Sequence, residues 1–296
     1  MMKKFDNGVL YMLMSALISA LNGALTKVLT HDISALEIVF FRNLFGVVLI
    51  LFAIKHTPIT LFKGHISLLF MRGLFGFMAM ILFFYTISVI PLGEAITLNK
   101  TSPFFVTLLA FLFLKERLYF RVALALFIGF CGTLLITKPF GMTFSSVDLL
   151  GVLGGFFAAS AYTTIKKIKD IFDARLIVLS FVLVGSVLPA LLFCLAPFVS
   201  APQSIAFLVP TFILPNTLWL WFLLSVMGFI STLSQWFLTK AYSAKNLSVI
   251  GVISYTNIPF AIGFGWLLGD RFPDILTFLG IVFIIFGGIL VSWKKG

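Results

Sequence analysis

Apolar residues run along this chain in long blocks, not in the alternation of a half-buried strand or the one-sided stripe of a soluble helix. Blocks near 8–29, 34–54, 66–89, 92–114, 118–137, 147–165, 176–198, 216–239, 246–268 and 274–293 each have the length, about 20 residues, that a helix needs to cross a bilayer core. Charged and turn residues mark the breaks, as at His31-Asp32, Lys55 to Pro58, Pro91-Leu92-Gly93, Lys115-Glu116-Arg117, Lys138-Pro139, Lys166 to Arg175, Lys245-Asn246 and Asp270-Arg271. The stretch 176–239 has no charged residue and is too long for one span. Pro197, Pro202, Pro210 and Pro215 divide it, and the piece from Gln203 to Leu214 is too short to cross, so it reads as an interfacial or re-entrant segment.

Composition strengthens this reading. The chain is 61% hydrophobic and 10% charged, with a mean hydropathy of +1.16, whereas soluble domains are about half apolar and about a quarter charged. A water-soluble globular protein is excluded, and little chain is left for a fused ATPase, kinase or receptor ectodomain. The 37 Phe residues suit a lipid-facing surface. The net charge of +11 sits in short loops, without a basic helix face or aromatic platform, so no nucleic-acid partner is expected. It reads instead as topology. With the N-terminus inside, sixteen Lys and Arg fall on the inner side, against Lys27, Lys138 and Arg271 outside. This predicts a multi-pass protein of a bacterial cytoplasmic (inner) membrane with both termini cytoplasmic. The first block lacks a cleavage site and reads as a permanent span. Cys131 and Cys194 lie in apolar runs and suggest neither disulfide nor metal site.

The blocks also repeat. A shift of 139 residues lays Ile38-Val39, Gly46 and Val48-Leu49 on Ile177-Val178, Gly185 and Val187-Leu188. A shift of 154 lays Glu116-Arg117 on Asp270-Arg271, and one of 143 lays Gly8-Val9-Leu10 on Gly151-Val152-Leu153. The predicted fold class is therefore all-α integral membrane, with ten transmembrane helices as two five-helix repeats, 1–140 and 141–296. Because five is odd, the second copy is inverted in the bilayer, the architecture of secondary transporters.

Particular residues carry a resemblance on top of this pattern: Glu37-Ile38-Val39-Phe40-Phe41-Arg42, Arg72-Gly73, Pro103, Leu114-Lys115-Glu116-Arg117 and Gly269-Asp270-Arg271. With them the chain resembles the EamA-like branch of the drug/metabolite transporter superfamily, over essentially its whole length. Arg42 and Arg72-Gly73 look nearest the subgroup that includes S-adenosylmethionine uptake proteins. The resemblance implies a ten-helix transporter of small metabolites. The counterpart of Arg42 in the second half is Phe181, and Asp270 stands where family members usually carry Glu.

An ionisable side chain near mid-bilayer costs about 2.5–3.5 kcal/mol on insertion scales, so each one is a candidate for function. Arg42 lies deep in its block and reads as a cationic site for carboxylate or phosphate, with pairing to Glu37 as the structural alternative. Lys100 lies in a polar patch where Glu94, Thr97 and Lys100/Thr101 share one helix face. That face should look into a cavity, with Pro103 freeing the carbonyl of Asn99 beside it. Tyr255, Asn257, Gln235 and Trp236 are expected to form the facing wall. Glu37, Glu94, Pro103 and Pro259 are the candidates for gating or coupling. Arg72 reads as a boundary residue that snorkels. The stripes Ser15-Ser19-Gly23, Ala16-Ala20-Ala24 and Gly151-Gly155-Ala159 read as packing faces.

No P-loop, zinc-protease motif or nucleophile elbow is present, and His31, His56 and His65 lack ligand spacing. The prediction is a secondary transporter that moves a small polar or zwitterionic metabolite, such as an amino acid or an S-adenosylmethionine-like compound, by alternating access. No cofactor, metal or catalytic residue is expected. The expected partners are the substrate, the lipid bilayer and a coupling proton, with a homodimer as the candidate assembly. The competing readings are a membrane-embedded lipid-modifying enzyme and a non-transporting sensor or assembly subunit.

Overall fold

A computed structural model describes residues 7–29, 32–57, 59, 64, 66–89, 98–137, 145–198, 212–244, 246–267 and 274–292. The long elements described are all helices: α1 (Asn7–Leu29), α2 (Ala35–His56), α3 (Ile66–Val89), α4 (Ser102–Leu114), α5 (Phe120–Thr137), α6 (Ser146–Ile168), α7 (Ala174–Leu195), α8 (Leu218–Tyr242), α9 (Leu247–Leu267) and α10 (Ile275–Ser292). Among the described residues seven helices are long and apolar enough to cross a membrane; α4, α5 and α10 are shorter apolar helices. Most of the segment from Gln203 to Leu214, expected to be interfacial or re-entrant, lies outside the described residues.

Helix starts follow local chemistry. Ser34 and Glu37 form a capping box on α2, each side chain accepting the other's backbone N–H, and Ser145 and Asp148 repeat the arrangement on α6. Asp173 caps α7 by accepting from the Arg175 N–H at 2.9 Å. The Ser34 cap lies 139 residues before the Asp173 cap, the same shift that lays Ile38-Val39 on Ile177-Val178.

One helix is interrupted. A 3-10 turn, Ser254–Thr256, splits α9 into α9a (Leu247–Ile253) and α9b (Asn257–Leu267). Before α4, Leu98-Asn99 are helical and Lys100-Thr101 form a turn, so the chain also breaks here. This corrects the sequence expectation for Pro103. It stands in the first turn of α4, where a missing N–H costs nothing, instead of breaking a continuous helix at Asn99.

Packing joins α1 to α8, α3 to α6, α2 to α7, α3 to α7, α2 to α8, α4 to α6, α1 to α9b, α4 to α9a and α5 to α10. Small and polar residues set these contacts, as helices in lipid require. Ser15 and Ser234 each donate to the other's backbone carbonyl, at 3.0 and 3.1 Å, between α1 and α8. Asn43 donates to the Gly185 carbonyl at 3.2 Å between α2 and α7. Gly155 lies against Thr101, and Gly132 and Gly280 face each other across α5 and α10. Gly23, in contrast, has open space where a side chain would begin, so its place in the α1 stripe is not a packing requirement. Large apolar side chains such as Phe52, Phe113 and Phe222 remain exposed, which is the surface a lipid-embedded bundle presents.

A Cβ on Gly280 would fall 2.5 Å from the Gly132 carbonyl oxygen, backbone that cannot move aside without separating the helices. Gly280→Val should lower the thermal unfolding midpoint in detergent by the equivalent of about 1–3 kcal/mol. Gly23→Ala should leave that midpoint unchanged.

Candidate substrate-binding site

The two breaks meet. The Tyr255 hydroxyl donates to the Lys100 carbonyl at 3.2 Å. The Lys100 ammonium donates to Asn257 Oδ1 at 3.4 Å, and Asn257 Nδ2 donates to the Ala16 carbonyl of α1 at 2.9 Å. Thr101, Ser254 and Thr256 each donate to the carbonyl three residues back, at 2.6 to 2.7 Å. These hydroxyls bond back to the preceding turn, and the Leu98 and Gly251 carbonyls also accept the backbone N–H of Thr101 and Ser254. The structure thus brings Lys100, Thr101, Tyr255 and Asn257 together at one crossing, with Pro103 and Pro259 each in the first turn of the helix that follows a break.

Arg42 stands on α2, with Nη2 donating to Met80 Sδ of α3 at 3.0 Å, while its buried Nε has no partner. Gln235 places Oε1 in the interior, also without a partner. Trp236, next along α8, turns to the surface, where the Lys240 ammonium lies 5.6 Å from its ring centroid. Glu37 does not pair with Arg42. Its carboxylate completes the α2 capping box and accepts the Ile213 N–H at 2.6 Å. Glu94 and Thr97 lie outside the described residues. A groove of about 330 Å³ between α1 and α9b, bounded by Leu17, Phe260 and Trp266 among others, is apolar and contains none of these polar groups.

The sequence reading misplaced Arg72. It is 1% exposed, so it cannot snorkel to an interface. Its guanidinium carbon lies 5.0 Å from the centroid of the Phe181 ring, Tyr162 stands nearby, and Nε and Nη1 have no hydrogen-bond partner. Tyr162 in turn stacks on Tyr242 at 4.3 Å. The available signal was its neighbours: Gly73 and Gly76 let α7 approach α3 closely at Ser180 and Phe181, which covers Arg72. Among the described residues, Arg42, Arg72 and Lys100 have no acidic partner, and the two buried carboxylates, Glu37 and Asp148, cap helices.

Polar ties close one end of the bundle around this interior. Arg175 donates to the Thr57 carbonyl at 2.7 Å and pairs with Asp173 at 2.7 Å, tying α2 to α7. Lys166 donates to the Ala244 carbonyl beyond α8. Glu116 accepts the Leu247 N–H at 3.1 Å, so the residue that ends α4 caps the start of α9.

An apolar helical bundle with exposed aromatic and aliphatic side chains outside and buried cations inside has the makeup of a multi-pass membrane protein. The comparisons are consistent with that class. The EamA-like transporter family matches residues 6–138. A pseudopaline exporter of Pseudomonas aeruginosa is 34% identical, with 98% of each chain covered. An S-adenosylmethionine uptake transporter of Rickettsia bellii is 25% identical, over 99% of this chain and 96% of that one. One crystal structure superposes with a TM-score of 0.78 over 96% of this chain and 95% of the other, at 14% identity, which speaks to fold alone. The chain belongs to the EamA-like transporter family, within the drug/metabolite transporter superfamily.

Glu116→Ala should leave the first N–H of α9 without its acceptor and lower the thermal midpoint by the equivalent of about 1 kcal/mol. Glu116→Gln keeps an acceptor oxygen and should lose less than half of that, as read by melting in detergent.

Proposed function

We propose that the chain is a secondary transporter in a bacterial cytoplasmic membrane, moving a small polar or zwitterionic metabolite by alternating access between two inverted five-helix repeats. The observation that carries this reading is the crossing of two interrupted helices beside buried cations, the arrangement in which transporters bind substrate near the bilayer midplane.

The packing supports the repeat. Exchanging each of α1–α5 with the helix five places on carries α3–α6 to α8–α1, α3–α7 to α8–α2 and α4–α6 to α9–α1, while α2–α7, α4–α9 and α5–α10 map onto themselves. A shift of 154 residues carries the Lys100-Thr101 break onto Ser254-Tyr255. In this reading Arg42, Lys100, Thr101, Gln235, Tyr255 and Asn257 line the substrate path, joined by Glu94 and Thr97 of the same polar face. With the enclosed Arg72 set aside, fifteen Lys and Arg remain on the inner side against three outside, which supports cytoplasmic termini. Glu94 and Glu37 are the carboxyl groups available to carry a coupling proton.

Counterflow in proteoliposomes preloaded with amino acids, S-adenosylmethionine, nucleotides, organic acids and quaternary amines tests the proposal. Saturable exchange of one pool is expected, falling at least ten-fold in Lys100→Ala and Arg42→Ala at matched incorporation of folded protein. Full exchange in both variants would remove these residues from the site. No exchange from any pool, at neutral and at acidic external pH, would contradict transport of these classes.

A further inference from the structure

Among the described residues the interior holds positive charge that no carboxylate pairs with. Arg72 is fully enclosed, with one face on the Phe181 ring and two nitrogens unused. Arg42 is covered by a thioether, a weak acceptor, and has a third unused nitrogen. A structural arginine at such depth would be expected to hold a carboxylate or several carbonyls, because an enclosed charge without partners is costly. Here neither guanidinium has an acidic partner among the described residues.

Both guanidinium groups lie along α3. Met80, which touches Arg42, lies eight residues beyond Arg72 on α3, about 12 Å along the helix. Gly76 lies between them with no side chain of its own. The arrangement is also asymmetric in a way the repeat does not require. Arg42 and Phe181 are equivalent positions of the two halves, and both reach α3, the first as a charge and the second as the platform under Arg72. Guanidinium groups match the planar, two-oxygen geometry of carboxylate and phosphate.

We propose that Arg72 and Arg42 together bind a substrate carrying at least two acidic groups, each guanidinium taking one, so that Arg72 is a substrate-binding residue of the transport site. This rests on the transporter reading and narrows its substrate to a polyacid. A monoacid would leave one enclosed cation unmatched and is discriminated against for that reason.

The test uses the full-length chain in detergent, with binding followed by thermal stabilisation and calorimetry. The probes are acetate, lactate, succinate, glutarate, citrate and fructose 1,6-bisphosphate at matched ionic strength. At least one diacid, triacid or bisphosphate should stabilise wild type, with monoacids at least ten-fold weaker. Arg72→Gln should weaken that binding at least ten-fold, and Arg72→Lys less. Ligand-free Arg72→Met should unfold at the wild-type temperature or above it, whereas a structural arginine would cost stability when removed.

Equal binding of mono- and polyacids, no binding of any polyacid, unchanged binding in Arg72→Gln or a marked loss of ligand-free stability in Arg72→Met would each overturn the proposal. Counterflow separates the two readings. Polyacid binding without flux would overturn the transporter and keep the polyacid site. Robust flux of a neutral or cationic solute, unaffected by Arg72→Gln, would do the reverse.

Discussion

In hydrocarbon a backbone N–H or C=O has no water to turn to, and every other feature of this chain depends on that constraint. Continuous helices satisfy it within themselves. Where the helical path stops at Lys100-Thr101 and again at Ser254–Thr256, the released carbonyls need partners from elsewhere. Tyr255 reaches across to the Lys100 carbonyl, so the second break supplies a donor to the first. A lysine can occupy such a place because Asn257, itself held by the Ala16 carbonyl, accepts from its ammonium.

This crossing was largely legible in the sequence, because a polar run within an apolar block is costly in a bilayer and its residues stand out. The 154-residue shift set Tyr255 against Thr101, and the structure places them on neighbouring breaks. Boundaries moved for local reasons. The block expected at 147–165 runs as a helix to Ile168, since Lys166 and Lys167 suit a helix C-terminus. Arg72 was not legible. An arginine near the start of an apolar block has the same sequence signature whether it snorkels or is enclosed, and glycines at 73 and 76 on the packing partner's side decide the matter. For Glu37 the position before Arg42 suggested an ion pair, but a Ser three residues earlier gives it a cap to complete.

The packing scheme treats the two halves alike, whereas the charge does not. Arg42, Arg72 and Lys100 all come from the first half, and the second half contributes rings and amides: Phe181, Tyr242, Tyr255, Gln235 and Asn257. In the alternating-access reading we propose, similar helices rock about a shared crossing while one set of side chains supplies charge and the other supplies shape. The ties at one end, Arg175 to Thr57, Lys166 to Ala244 and Glu116 to Leu247, are exposed or half-buried hydrogen bonds that water can replace.

The central claim is that the region around Arg42 faces each side of the membrane in turn. The most direct measurement replaces Cys131 and Cys194 with Ser and introduces Met80→Cys beside the Arg42 guanidinium. Its modification by a membrane-impermeant thiol reagent is then followed in right-side-out and inside-out vesicles. The account predicts modification from both sides, slowed by the transported solute. Modification from one side only, under every gradient and in protein that still transports, would contradict it.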